Sequence, residues 1–269
     1  MELRQRHNIE ETFHDAWAKE INLDEIDPRR SFEAVTSAEN RLVLEWMGPI
    51  KGKKILDLGC GLGDAAVYFA MQGAQVTAVD ISPGMIKVLK RLAAREKVSG
   101  RIKGMRAVGE KLPFKSGSFD FVYGNGVLHH LDCSVSGPEI SRVLKKGGRG
   151  IFIEPLAYNP VIEVYRHLAS GVRTEAEAPM TYAKFRELAK YFKAYRRQES
   201  QLLTLGIFLW FFLVERQNPS KVRYWKKIVN EADTYGPAFR VLQKAERMLM
   251  TVLPFSRPLC WNVVVEYLA

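Results

Sequence analysis

Cysteine is scarce in this chain. Cys60, Cys133 and Cys260 are the only three among 269 residues. They are odd in number and scattered, and no CxxC pair or Cys/His cluster has metal-ligand spacing. Neither a disulfide framework nor a zinc site is indicated, and no metal is expected. A reducing, cytoplasmic setting fits that usage. Long apolar runs are also lacking. The most apolar stretch, residues 202–214, is shorter than the roughly 20 residues that cross a bilayer as a helix. The sequence therefore predicts no membrane span, while leaving contact with a membrane surface open. Residues 1–11 are dense in charge and have no apolar core, which is not the pattern of a signal peptide. Acidic side chains are in deficit: 30 Asp and Glu stand against 40 Lys and Arg, a formal net charge of +10. The surplus is uneven, with 23 basic and 20 acidic residues before Tyr158 and 17 against 10 from Tyr158 onward. A basic second half suits a solvated surface, nucleic acid, anionic lipid or an acidic substrate.

What is present is a hydrophobic content of 47%, enough for a sizeable core. Helical spacing is predicted from Asn8 through Phe13, Trp17 and Ile21, and again over 37–47 until Gly48-Pro49 ends it. Strand and helix signals then alternate. Strands are predicted at 54–58, 75–79, 102–108, 119–123 and 150–154. Helices are predicted at 65–71, from Ser82-Pro83 to about Lys97, and at 138–144, with a turn at Lys146-Gly147-Gly148. This alternation implies a parallel, doubly wound sheet. After Pro155 the pattern weakens. Thr181 reads as the N-cap of a helix over 182–192, residues 201–205 as a sixth strand, 207–252 as mostly helical and 261–267 as a closing strand. The expected organisation is an N-terminal helical cover (1–50), an α/β core (51–205 and 258–269) and a helical insert over the substrate (206–257).

The loop Asp57-Leu58-Gly59-Cys60-Gly61-Leu62-Gly63 sits at the carboxyl end of the first strand, where open α/β sheets bind ligands. A dinucleotide site wants G-x-G-x-x-G/A, with bare N–H groups facing a pyrophosphate. Here position 64 is Asp, and Asp57 precedes the loop. Two carboxylates repel a pyrophosphate and suit a cationic ligand. Asp80, ending the second strand, is placed to accept from ribose hydroxyls.

Ile55-Leu56-Asp57-Leu58-Gly59-Cys60-Gly61-Leu62-Gly63 resembles motif I of class I S-adenosylmethionine-dependent methyltransferases. Val79-Asp80-Ile81-Ser82-Pro83-Gly84-Met85-Ile86 resembles their acidic motif. Leu112-Pro113-Phe114, Asn125-Gly126-Val127-Leu128-His129-His130-Leu131 and Leu144-Lys145-Lys146-Gly147-Gly148 follow in the family's order, and the resemblance is closest to the UbiE/type-11 branch. It implies a Rossmann-like class I fold: a mainly parallel seven-stranded sheet whose last strand is antiparallel. It also implies S-adenosylmethionine as cofactor, with S-adenosylhomocysteine as product. Asp57 and the backbone of Gly59, Cys60 and Gly61 would hold the methionine end, together with Asn125. Asp80 would hold the ribose, and Ile81 would pack on the adenine. The family's adenine-binding Asp is replaced by Val108, so Gly109 and Glu110 are the expected substitutes.

For chemistry, His129, His130 and Glu154 are the candidates nearest the reacting end, with His14, Tyr158 and His167 on segments that could cover the pocket. The expected reaction is methyl transfer to a small, lipophilic acceptor at O, N or C. The alternatives are a lipid or quinone methyltransferase at an anionic membrane surface, and an RNA or other nucleic-acid methyltransferase. Phe208, Trp210, Phe211 and Phe212, followed by Arg216, Lys221, Arg223, Lys226 and Lys227, speak for the first. The segment Lys190-Tyr191-Phe192-Lys193-Ala194-Tyr195-Arg196-Arg197 speaks for the second.

Overall fold

The computed structural model describes residues 3–168, 174 and 177–269. Its centre is a seven-stranded sheet in the order β3-β2-β1-β4-β5-β7-β6. The strands are β1 (Lys54–Leu58), β2 (Gln75–Asp80), β3 (Ile102–Arg106), β4 (Phe119–Asn125), β5 (Leu144–Pro155), β6 (Ala194–Ser200) and β7 (Asn262–Leu268). β7 alone runs against its neighbours, pairing antiparallel with both β5 and β6. The central strands are buried on both faces, as a parallel sheet covered by helices requires; Ile55, Leu56, Val122 and Phe152 have no exposed surface.

Helices α4 (Asp64–Met71) and α5 (Pro83–Arg95) follow the first two strands. α5 begins as its sequence predicts. Ser82 Oγ accepts the Met85 N–H at 3.0 Å, and Pro83 takes the first turn, where no N–H is needed. α6 (Cys133–Val143) starts five residues before the expected Pro138, because Asp132 caps it by accepting the Ser134 N–H at 2.9 Å. The turn at Lys146-Gly147-Gly148 lies inside β5 as an irregularity in its pairing with β4. It is followed by α7 (Pro160–Leu168) and α8 (Tyr182–Ala189).

The predicted strand over 201–205 is not one. The carboxylate of Glu246 accepts the N–H groups of Gln201, Leu202, Leu203 and Thr204 at 2.7–3.3 Å, so those donors serve a side chain rather than a neighbouring strand. The sixth strand is β6, whose basic residues are engaged. Arg196 Nε lies 2.6 Å from Glu266 and its guanidinium stacks on Trp46, while Arg197 Nε lies 2.8 Å from Glu199 and its guanidinium stacks on Tyr182.

Further helices are α1 (Leu3–Lys19), α2 (Pro28–Glu33) and α3 (Ala38–Met47) from the start of the chain, and α9 (Gly206–Leu213), α10 (Tyr224–Asn230) and α11 (Ala232–Val252) from its second half; α1, α2, α10 and the start of α3 reach the carboxyl end of the sheet. α1 begins ahead of the expected Asn8 cap. α9, apolar on every side, buries Ile207, Phe208 and Phe211 among Tyr224, Phe239 and Ile162, while Leu209, Trp210, Phe212 and Leu213 stay exposed. Among the described residues no helix is long and apolar enough to cross a membrane.

Candidate functional site

The parallel strands end on one cavity of about 480 Å³, within the range of small-molecule sites. Asp57, Gly59, Cys60, Gly61, Asp80, Ile81, Gly109, Glu110 and Asn125 all line it. Topology explains this: the residues come from the carboxyl ends of β1, β2 and β4 and the segment after β3, which the parallel sheet brings side by side.

The glycine loop is held in a conformation other residues avoid. Gly59, Gly61 and Gly63 have φ of +67°, +48° and +81°. A Cβ on Gly59 would also press into Val127, 2.6 Å away, whereas at Gly61 it would meet no protein atom. Gly61 is thus the loop position open to a ligand. Cys60 is buried. Burial and then the charges of Asp80 and Asp57 push its thiol well up, away from the thiolate form that a nucleophile needs.

The carboxylates test whether a cationic ligand fits. Asp57 is buried, and its Oδ2 has no hydrogen-bond partner. Burial, then the charges of Asp64 and Asp80, holds its carboxyl well above the usual carboxylate range. An orphaned buried carboxylate oxygen is costly unless a donor meets it; an ammonium group supplies one. Asp80 accepts the Gly61 N–H at Oδ2 and the Ser82 N–H at Oδ1, both at 2.9 Å, which fixes its carboxylate while leaving lone pairs for hydroxyl donors. Burial raises it as well. Glu110, one expected adenine contact, already has partners: His7 Nε2 lies 3.2 Å from one oxygen, and the Asp132 N–H donates to the other at 3.2 Å. It ties α1 to the rim of the cavity.

The three candidates for chemistry separate. Glu154 has no exposed surface and does not line the cavity. It accepts the N–H groups of Val127 and Leu128 at 2.9 and 2.7 Å and that of His129 at 3.3 Å, and it lies 2.7 Å from His129 Nδ1. Burial pushes its carboxyl up to about 7, against the pull of those backbone donors. His129 and His130 both line the cavity. His130 Nδ1 lies 2.9 Å from Glu10 Oε1, to which Thr174 Oγ1 also donates at 2.7 Å, and His14 Nε2 lies 3.5 Å from Glu10 Oε2. Burial works against ionisation of Glu10, but the His130, His14 and Thr174 contacts prevail and hold it well below the usual carboxylate range. Tyr158 and His167 do not line the cavity; Tyr158 caps α8 by accepting the Tyr182 N–H at 2.9 Å.

Several site residues escaped the sequence reading. Glu10 is one: it shares a face of α1 with His14, expected on a covering segment, and with Trp17, and its part is visible only once that face is known to meet the loop after β4. Spacing along the chain showed no metal cluster, yet the fold assembles two sets that could hold a cation. Glu10, His14 and His130 form one, and His129, His130 and Glu177 the other, each with ligand atoms within 4.8 Å of one another. Arg223 and Lys226, read as part of a basic surface, also line the cavity.

The chain is similar in sequence and in fold to known methyltransferases. Residues 56–152 match the family described as "Methyltransferase domain". An uncharacterised methyltransferase of Bacillus subtilis, YodH, is 38% identical over 124 residues, covering 46% of this chain and 52% of that protein. The ubiquinone/menaquinone biosynthesis C-methyltransferase UbiE of Rhizobium johnstonii is 37% identical over 109 residues, 38% of this chain and 42% of its own length. The chain thus spans about half or less of the length of these curated relatives. Among solved structures, geranyl diphosphate C-methyltransferase of Streptomyces coelicolor, in complex with S-adenosyl-L-homocysteine, has a TM-score of 0.59 at 17% identity, covering 86% of this chain and 78% of that one. At that identity the likeness is one of fold.

Proposed function

Because residues 56–152 belong to the class I S-adenosylmethionine-dependent methyltransferases, in their UbiE/type-11 branch, we propose that the protein is an enzyme that methylates a small acceptor with an apolar body. One observation carries the reading: a single cavity joins the glycine loop and the orphaned Asp57 carboxylate to a cover rich in Phe13, Trp17, Phe32 and Trp225. Calorimetric titration with S-adenosylhomocysteine tests the premise. Binding is expected, and silence at millimolar ligand would sink the assignment. Asp80→Ala should weaken that binding by about tenfold or more, the loss of charge-assisted hydrogen bonds to hydroxyls; unchanged affinity would contradict the ribose role.

S-adenosylmethionine supplies, when bound, a methyl group on a sulfonium whose departure leaves a neutral thioether. The protein's own part is then binding, alignment and exclusion of water. Asp57 would meet the ammonium, Gly59 and Gly61 would let the backbone close on the methionyl chain, and Asp80 would take the ribose hydroxyls. Glu154 positions rather than transfers protons. Its two oxygens are taken by the N–H groups that shape the 127–129 turn and by His129. If the acceptor loses a proton, His130 takes it. His130 lines the cavity, and Glu10 Oε1 stands 2.9 Å from its Nδ1.

A second reading, contact with an anionic membrane, rests on the exposed apolar side chains of α9 and α7. Trp210 is 52%, Leu213 66% and Val164 62% exposed, with Arg216 and Lys221 exposed close by in sequence. Such a face would collect a lipid-soluble acceptor from the bilayer. The nucleic-acid alternative loses its main support, because Arg196 and Arg197 are paired and stacked within the sheet edge.

A further inference from the structure

Two cations line the cavity, and no carboxylate among the described residues answers them at ion-pair distance. Arg223 caps the start of α10 and Lys226 lies three residues on, so both project from one turn. Both rest on Trp17: the Arg223 guanidinium carbon is 3.7 Å and Lys226 Nζ 5.3 Å from the ring centroid. Both are part of the cavity wall and half-buried. Among the described residues, neither side chain has a carboxylate within ion-pair distance. The contrast with the next residue is sharp. Lys227 Nζ lies 3.1 Å from Glu215 and 2.7 Å from Glu231. Carboxylates are therefore at hand on this side of the cover, but they are spent on the lysine that faces away from the site.

Like charges three residues apart on a helix repel, and taking them out of water without a counter-charge is costly. Burial accordingly lowers the pKa of both, and Arg223 lowers that of Lys226 further. The charges that reach them at longer range are Glu20 for Arg223 and Asp64 and Glu25 for Lys226. The indole of Trp17 offsets part of the cost, but a π face is no ion partner.

We propose that the methyl acceptor carries an anionic group, a carboxylate or a phosphate, and that Arg223 and Lys226 bind it against Trp17. This rests on the methyltransferase reading and narrows its substrate class from apolar to amphipathic: an apolar body among the aromatic side chains of α1 and α2, with an anion at α10. The rival source of the same chemistry is the carboxylate of the cofactor's methionyl end, since the charge of Asp64, beside the glycine loop, is felt at Lys226.

Calorimetry on the full chain separates the two. Inorganic pyrophosphate serves as the anion probe, titrated into protein saturated with S-adenosylhomocysteine; S-adenosylhomocysteine is titrated separately. The proteins are the parent, Arg223→Gln/Lys226→Gln, and Lys226→Gln alone, with thermal midpoints confirming that each folds. Pyrophosphate is expected to bind the parent and to lose about tenfold or more in the double variant, with a smaller loss in Lys226→Gln, while S-adenosylhomocysteine affinity stays within about twofold. The proposal is overturned if pyrophosphate binds parent and double variant equally. It is also overturned if S-adenosylhomocysteine affinity falls instead, which would give the cations to the cofactor's carboxylate. Absence of S-adenosylhomocysteine binding to the parent would strike the methyltransferase reading itself, a separate result.

Discussion

At Asp57 and Asp80 the protein keeps two carboxylates out of water in the wall of a cavity, and both are held above the usual range, mainly by burial. The sign of the consequence follows from linkage. A group whose folded pKa is raised contributes stability that is full below its unfolded pKa, about 4 for Asp, and that is lost as pH rises through the folded value. The ligand-free fold therefore gives up stability from about pH 4 upward, and a ligand whose ammonium and ribose hydroxyls call for both groups ionised restores it. Saturating S-adenosylhomocysteine should raise the thermal midpoint more at about pH 7.5 than at about pH 5.5, and Asp57→Asn should reduce that difference; equal increments at both pH values would refute the coupling. Glu154 behaves differently. Glu154→Gln offers one acceptor oxygen, and an NH₂ group that faces other donors, where a carboxylate served three N–H groups and an imidazole. It should cost on the order of 3 kcal/mol, read as a lower denaturation midpoint. A variant as stable as the parent would show that the 127–129 turn does not depend on this carboxylate.

At the level of elements, local chemistry determined what could be read from the sequence. β1, β2, β4 and α5 were legible because strand periodicity, the Ser82-Pro83 start and the glycine loop all report on neighbouring residues. β6 was missed because Ala194–Ser200 carries Arg196, Arg197 and Glu199 on an edge strand whose pairing partner is β7, some seventy residues later. The segment after it was misread for the converse reason. Residues 201–205 have the composition of a strand, but Glu246, some forty residues later, claims their N–H groups. The cofactor side of the site was legible almost residue by residue. The cover was not, since Glu10 meets His130, and Arg223 meets Trp17, only through folding. Glu246→Ala should leave up to four backbone donors unanswered and cost on the order of 3 kcal/mol, a midpoint drop of about 6–12 °C for a chain of this size. A drop under about 2 °C would mean that water replaces the carboxylate freely.

On the scale of the whole molecule, the apolar face of α9 and α7 and the basic residues near it make an expected outcome for lipid binding. Co-flotation with vesicles containing phosphatidylserine or phosphatidylglycerol should exceed that with neutral vesicles, should decline with salt, and should fall for Trp210→Ser/Leu213→Ser. Equal, negligible flotation with both vesicle types would remove the membrane reading and leave the cavity to take its acceptor from solution. Arg223 and Lys226 are expected to contribute little here, because they face the cavity rather than the outer surface.

The sheet order has a consequence for how the chain is made. β7 lies between β5 and β6, hydrogen-bonded to both. While the ribosome is still building α9 to α11, β6 has no strand to join, and the edge of β5 stands open beside it. Only when residues 262–268 emerge do both edges close in one step. The interval is one in which a bare strand edge is exposed, before Trp261 and Asn262 have joined the wall of the cavity.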